Sequence, residues 1–343
     1  MAKQKIDLSD VTAVIPIAGM GTRLKPHTHT LPKVLLRVAD KPILGHVLDS
    51  VKKTGIKKII LVVGQMREQI FKYIEKNYKP LDIEYVPQNE LKGLGHAVYL
   101  TRSKVKGPVF ILLGDTILDI NFQKAFSRKR SWIGVKEVKD PRRFGVVEVK
   151  DGYISNLLEK PENPPTNLAI VGAYFLENSK LLFKCLRENI NNHKITRGEI
   201  QLTDALQLML KEGEKFYAEE IDGWYDCGKP ETLLNTNRFL LDKYHNKLKI
   251  IEGSTVCSPV YISPSAKIIN SVIGPYVSVG DEAALENVVI QNSIVNKKAK
   301  VSNIVLSSSL IGYKAVFNGL THHINLGDSS VVNLSGIDEE NKF

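Results

Sequence analysis

Val11-Thr12-Ala13-Val14-Ile15-Pro16-Ile17-Ala18-Gly19-Met20-Gly21-Thr22-Arg23 joins an apolar run to a turn holding two glycines and a cation. The run 11–15 is apolar and strand-like, and the near-continuous runs 59–63 and 109–113 suit strands buried on both faces. Two glycines let the backbone bend tightly and approach a ligand closely, turning N–H groups toward anionic oxygens. Arg23, and Lys33 after Pro32, add full charges that peptide dipoles cannot supply. Together these residues predict an anion cradle at a strand end. On their own they fit equally a plain strand-to-helix turn with a solvated arginine.

Outward from this stretch, short apolar runs alternate with amphipathic segments at 11–17, 43–53, 58–63, 69–77, 83–86, 95–103 and 109–113. That alternation predicts parallel strands crossed by helices. Ligands of such sheets bind beyond the carboxyl ends of strands, where the sequence sets the glycine turn after Ile17, Gln88 after Val86 and Asp115 after Leu113. The mixed strand and helix signals of 144–220 predict a lobe closing this crevice from its far side. A helix over 230–244, with Pro230 just inside its start, ends this half.

Beyond Ile250 the texture changes, with aliphatic residues recurring at nearly hexapeptide spacing: Val256, Ile262, Ile268; Ile273, Val279, Leu285; Ile290, Val295, Val301; Leu306, Ile311, Phe317. Small or turn-forming residues lie between them, and a 3.6-residue rhythm cannot keep residues six apart on one face. Repeats of this length predict a β-helix whose inward residues stack from coil to coil. A sandwich of short strands is the alternative. The expected fold class is therefore α/β, a Rossmann-like, mostly parallel sheet over 1–247, followed by a left-handed parallel β-helix over 248–330 and a polar tail at 331–343.

The chain's 343 residues suffice for two domains, and its formal charge of +10 favours anionic partners. No basic tail or aromatic RNA-binding motif accompanies that charge, so small phosphorylated ligands rank above nucleic acid. The clusters Arg128-Lys129-Arg130 and Arg142-Arg143 read mostly as solvated surface. The opening residues lack an apolar h-region and no segment has the apolar length of a membrane span, which makes a cytoplasmic location the default and excludes a membrane partner. Cys185, Cys227 and Cys257 are far apart and without metal spacing, which argues against a disulfide framework and a zinc site.

Five pieces in order give the chain a family resemblance: Gly19-Met20-Gly21-Thr22-Arg23 with Pro32-Lys33; Gln88 with Gly93-Leu94-Gly95-His96-Ala97; Gly114-Asp115; Glu159-Lys160-Pro161 with Asn167-Leu168-Ala169-Ile170-Val171-Gly172; and Trp224-Tyr225-Asp226-Cys227-Gly228. They resemble the sugar-1-phosphate nucleotidylyltransferases, over about 11–244. The resemblance implies that a sugar 1-phosphate attacks the α-phosphorus of a nucleoside triphosphate and releases pyrophosphate. A phosphate monoester with a second pKa of about 6 is mostly dianionic at neutral pH, so this nucleophile needs no general base. The obstacle is joining two polyanions, which calls for positioning, cations and a divalent metal.

By resemblance, Arg23 and Lys33 are the catalytic phosphate cations, and Ala18, Gly19, Gly21, Thr22, Arg23, Gln88 and Gly93 bind the nucleotide. Asp115 and Asp226 match the carboxylates that hold Mg²⁺, a hard cation served by one or two carboxylates, phosphate oxygens and water. Gln88 carries a donor and an acceptor able to pair with the edge of uracil or thymine. Gly145, Glu159, Lys160 and Val171 match the sugar-phosphate side, and Arg197 is a further phosphate ligand there. Some motifs are similar to glucose-1-phosphate uridylyltransferases and others to the thymidylyltransferases, while the long repeats are similar to mannose-1-phosphate guanylyltransferases. One methyl separates uracil from thymine, which leaves dTTP against UTP open. Two readings from other classes stand beside this one: a hexapeptide-repeat acyltransferase using His322-His323, and a non-catalytic subunit that senses nucleotide-sugars. The stackable coils also predict a homo-oligomer.

Overall fold

The computed structural model describes residues 7–127, 130–247 and 249–320. Nine strands form one sheet: β1 (Thr12–Pro16), β2 (Lys58–Val63), β3 (Asp82–Pro87), β4 (Val109–Leu112), β6 (Trp132–Glu137), β7 (Gly145–Lys150), β8 (Tyr153–Glu159), β9 (Leu168–Leu176) and β10 (Tyr217–Glu220). Their order is β3-β2-β1-β4-β9-β6-β10-β8-β7. The first four are mutually parallel, and β9 then runs antiparallel to both β4 and β6. A separate hairpin-like pair joins β5 (Thr116–Asp119) to β11 (Gly223–Asp226).

Alternate residues of the central strands enter opposite cores, as the period of two requires. Ala13, Ile15, Ile59, Leu61, Phe110 and Leu112 pack on one side. Val14, Ile60, Val62, Val109 and Ile111 pack on the other. Helices α1 (Ile43–Thr54) and α2 (Arg67–Asn77) cover the first face, whereas α3 (Leu94–Tyr99), α5 (Ser179–Asn191) and α6 (Leu202–Lys211) cover the second. A short α4 (Phe122–Ser127) adds Phe122 and Phe126 to a cluster with Phe110 and Trp132.

The segment 144–220 belongs to the same sheet. Its strands continue the main sheet through β9, which spans nine residues and bridges β4 and β6. Long-range strand pairing of this kind leaves no local mark in a sequence; Gly145, Glu159 and Val171, on β7, β8 and β9, face the crevice.

Helix α7 (Pro230–Tyr244) begins with Pro230 at its first position, and Thr232 Oγ1 accepts from the Lys229 N–H at 3.1 Å. The parallel β-helix follows. Its four aliphatic triplets are four coils, stacked position for position: Val256 pairs with Ile273, Ile273 with Ile290 and Ile290 with Leu306. Ile262, Val279, Val295 and Ile311 form the second column, and Ile268, Leu285, Val301 and Phe317 the third. At one corner Asn270, Asn287 and Asn303 take left-handed backbone conformations and hydrogen-bond in series at 2.7 and 2.9 Å. Asparagine tolerates that conformation better than other side chains, and each amide satisfies the next.

The coils are fastened to the α/β part by Ile294, which enters its core, and by Asn237 of α7, which is fully buried. Asn237 makes the polar part of this joint. Its Oδ1 accepts from the Ala39 N–H at 2.8 Å and from Ser278 Oγ at 2.6 Å, and its Nδ2 donates to the Tyr276 carbonyl oxygen at 3.3 Å. Arg37 reaches Asp281 at 3.4 Å. A Cβ at Gly312 would lie 3.5 Å from His27 Nδ1. The chain between the glycine turn and α1 therefore rests on the coils. His322, His323 and the tail 331–343 lie outside the described residues.

Candidate active site

One cleft of about 1000 Å³ opens at the carboxyl ends of β1, β3 and β4, and every residue matched above to the phosphates, nucleotide, metal or sugar phosphate lines it. The glycine turn forms its floor. Ile17 N–H bonds to the Val62 carbonyl at 2.8 Å, holding the exit of β1 to β2. Gly21 has φ +63°, and a Cβ there would come 2.8 Å from Lys33 Cβ. Thr28 Oγ1 donates to the Gly21 carbonyl at 2.9 Å, which folds the loop back so that Lys33 reaches the same floor. The turn leads into a single 3₁₀ turn, Thr22–Leu24, anchored by fully buried Leu24, with Arg23 on its exposed side.

Gly114 ends β4 where a Cβ would strike Ile17 Cγ2 at 2.1 Å. Only glycine lets the chain pass the end of β1 and deliver Asp115 beside the turn. The β5–β11 pairing sets Asp226 opposite Thr116, and the Cys227 N–H bonds to the Asp115 carbonyl at 3.0 Å. Two carboxylates remote in sequence are thereby neighbours. Lys33 Nζ is ion-paired with Asp115 Oδ2, and the Arg23 guanidinium lies over Gly228. Burial raises the Asp226 carboxyl above the ordinary aspartate value, Asp115 adds to this, and Lys33, the Gly228 N–H and Arg23 oppose it.

At one end of the cleft Gln88 is buried, and Gly93 lies beside it. On the opposite wall, Glu159 Oε1 pairs with Lys160 Nζ at 3.0 Å while its Oε2 accepts from Thr203 Oγ1 at 2.7 Å. Gly145 sits against both Glu159 and Thr203. Val171 is buried at the base of this wall. Arg197, with φ +54°, donates to the Lys160 carbonyl at 3.2 Å and pairs with Glu162 at 3.5 Å.

Several lining residues had no assigned role from the sequence. Arg142 and Arg143, read there as solvated surface, stand on the cleft wall. Arg142 grips Asp140 with a two-pronged contact of 2.8 and 2.9 Å. Phe144 packs edge-on against Trp224 with ring centroids 4.7 Å apart. The Trp224 Nε1 is buried without a hydrogen-bond partner among the described residues. The signal for Arg142, Arg143 and Phe144 was their position just before Gly145, and for Thr203 its position after the Arg197 segment; neither identifies a facing direction. Among the described residues no group of three or more His, Cys, Asp or Glu side chains is placed to hold a metal. Asp115 and Asp226 therefore offer a two-carboxylate, all-oxygen donor set, the kind a hard divalent cation completes with water and phosphate.

The family described as nucleotidyl transferase matches residues 12–243. The chain belongs to that family. This nucleotidyltransferase is 32% identical over 313 residues to a low-salt glycan biosynthesis nucleotidyltransferase of Haloferax volcanii, covering 82% of this chain and 86% of the relative. It is 30% identical over 314 residues to a glucose-1-phosphate thymidylyltransferase of Streptomyces griseus, again over 82% and 86% of the two chains. A crystal structure of UDP-glucose pyrophosphorylase complexed with UDP-glucose superposes with a TM-score of 0.59 at 26% identity, covering 68% of this chain and 98% of that one. Family membership makes the protein an enzyme. No helix among the described residues of the nucleotidyltransferase is long and apolar enough to cross a membrane.

Proposed function

We propose that the enzyme transfers a nucleotidyl group from UTP or dTTP to a hexose 1-phosphate, with glucose 1-phosphate as the favoured acceptor, and releases pyrophosphate. The observation that carries this reading is the convergence of Arg23, Lys33, Asp115 and Asp226 on one floor, facing the Glu159–Lys160 wall across a single cleft. An acceptor phosphate oxygen forms a bond to the α-phosphorus as the α–β bridging bond breaks, and the electron pair leaves with pyrophosphate. Arg23 and Lys33 stabilise the charge that collects on the leaving group, in a position partly withdrawn from water. Asp115 and Asp226 hold Mg²⁺, which when bound supplies charge neutralisation between the two polyanions. Gln88 and Gly93 receive the base, Ala18 to Thr22 the phosphates, and Gly145, Glu159, Lys160, Val171 and Arg197 the sugar phosphate.

In this reading 1–247 is the catalytic unit and 248–330 an assembly module. Val272, Val289 and Val305 stack in register on the outside of the coils, with Val289 and Val305 45% and 72% exposed, which supports self-association through that face. A pyrophosphate-release screen of nucleoside triphosphates against hexose 1-phosphates tests the chemistry. Release with UTP or dTTP and glucose 1-phosphate is expected; release confined to GTP with mannose 1-phosphate would overturn the pyrimidine assignment.

A further inference from the structure

Gln88 and His96 form a contact that the transfer chemistry leaves unexplained. Gln88 follows β3 and is 5% exposed. Its Nε2 donates to the Gly93 carbonyl oxygen at 3.1 Å and lies 3.3 Å from His96 Nδ1 on α3. A carbonyl oxygen only accepts, so the Gly93 contact decides which end of the amide is nitrogen. The second amide hydrogen then falls to His96, whose Nδ1 must offer a lone pair. Burial, aided by Lys92, lowers the imidazole's proton affinity, while Glu90 opposes both; the result favours the neutral ring that this contact requires. Helices α5 and α6 meet α3 through apolar side chains such as Leu182, Leu186 and Leu206, and Glu199 is the carboxylate of the segment lying over Gly93. With both amide hydrogens committed within the protein, Oε1 is the group Gln88 presents to the cleft.

We propose that His96 is a positioning residue for base choice: its Nδ1 holds the Gln88 amide with the carbonyl oxygen outward, so the cleft takes bases that present an imide N–H. Uracil and thymine have that donor at ring position 3. Cytosine has an acceptor there, which in the same pose meets Gln88 Oε1 lone pair to lone pair. The inference rests on the nucleotidyl-transfer reading of the cleft, and assigns its pyrimidine selectivity to a residue that need not touch the nucleotide.

Titration of UTP and CTP into the full-length protein tests it with two variants. His96→Leu removes the acceptor and leaves a buried amide hydrogen unpaired, which should cost about tenfold in UTP affinity with little change for CTP. His96→Asn, whose Oδ1 can replace the lone pair, should restore most of the parental UTP preference. The proposal fails if the parental protein binds CTP as well as UTP, if His96→Leu keeps the parental ratio, or if His96→Asn loses as much as His96→Leu. The last outcome would assign the effect to ring packing. Pyrophosphate release by the parental enzyme separately decides the reading beneath: no release with any triphosphate overturns nucleotidyl transfer, whereas release together with an unchanged ratio in His96→Leu overturns the role of His96 alone.

Discussion

Lys33 is ion-paired with Asp115 across the floor of the cleft, tying the loop after the glycine turn to the end of the fourth strand. The lysine is 9% exposed at its side chain and the aspartate 33%, so the pair is neither fully buried nor free surface charge. In the proposed reading Lys33 would have to leave Asp115 to reach a triphosphate, and Asp115 would then be open to a cation. Lys33→Gln should lower turnover by about 10²–10³-fold, the usual cost of removing one charge-stabilising group. Pyrophosphate release at saturating substrate measures it, and a variant within a few-fold of the parent would remove Lys33 from the leaving-group side.

Asp226 predicts a pH dependence. Its folded-state proton affinity is raised from the model-compound value of 3.8, first by burial and then by Asp115. Just above that value the folded protein holds a proton that the unfolded chain has released, so its contribution to stability is full at lower pH and is lost as pH rises through the folded pKa. A divalent cation competes with the same proton. The thermal stabilisation given by Mg²⁺ should be large at neutral pH and fade as the solution is acidified, and Asp226→Asn should abolish most of it. A Mg²⁺-dependent rise in Tm that survives in Asp226→Asn would place the cation elsewhere.

Gly21→Ala should be destabilising by about 1–3 kcal/mol, because the new Cβ meets Lys33 Cβ in a backbone conformation that disfavours side chains. Urea unfolding reads the loss. An unchanged midpoint would mean that the turn relaxes freely and does not brace Lys33.

Asn237→Leu removes the acceptor shared by Ala39 N–H and Ser278 Oγ, leaving buried donors at the junction of α7, the Lys33 loop and the coils. Each unsatisfied donor costs about 1–3 kcal/mol, so a sum near the upper end of single-residue effects is expected. The informative measurement is differential: hydrogen exchange should rise at Ala39 and Ser278 before it rises in the central strands. Uniform destabilisation would argue against a local joint.

Glu159→Gln should weaken the hold on Lys160 while keeping the Thr203 hydrogen bond available. The expected result is a KM for the hexose 1-phosphate raised about tenfold or more with the nucleotide KM near its parental value. Equal changes in both KM values would contradict the division of the cleft into two ends.

The parts of the fold legible in the sequence were those with a local period. Ile59 to Val63 and Val109 to Leu112 could be read as doubly buried strands because each is apolar throughout, and the four coil triplets because every inward residue recurs once per side. The continuation of the sheet through β9 was not legible, since its antiparallel pairing with β4 joins residues about sixty positions apart. In the cleft, residues at strand ends such as Asp115 were recognisable from position alone. Arg142 and Arg143 were not, because charge in a loop carries no indication of which way it faces. The Lys33–Asp115 and Gln88–His96 contacts were hidden too: Lys33, Asp115 and Gln88 were candidates from the sequence, but only the tertiary neighbour gives each a specific orientation.

The chain that carries Lys33 touches two of the coils: His27 lies near Gly312 of the fourth, while Arg37 at Asp281 and Ala39, through Asn237, at Ser278 reach the second. Because successive coils repeat one cross-section, that loop lies along a straight-edge with evenly spaced marks. Removing the last coil would free the His27 end while the Ala39 end stayed moored. The length of the β-helix thus sets how much of the loop carrying Lys33 is backed by the coils, in steps of a whole turn.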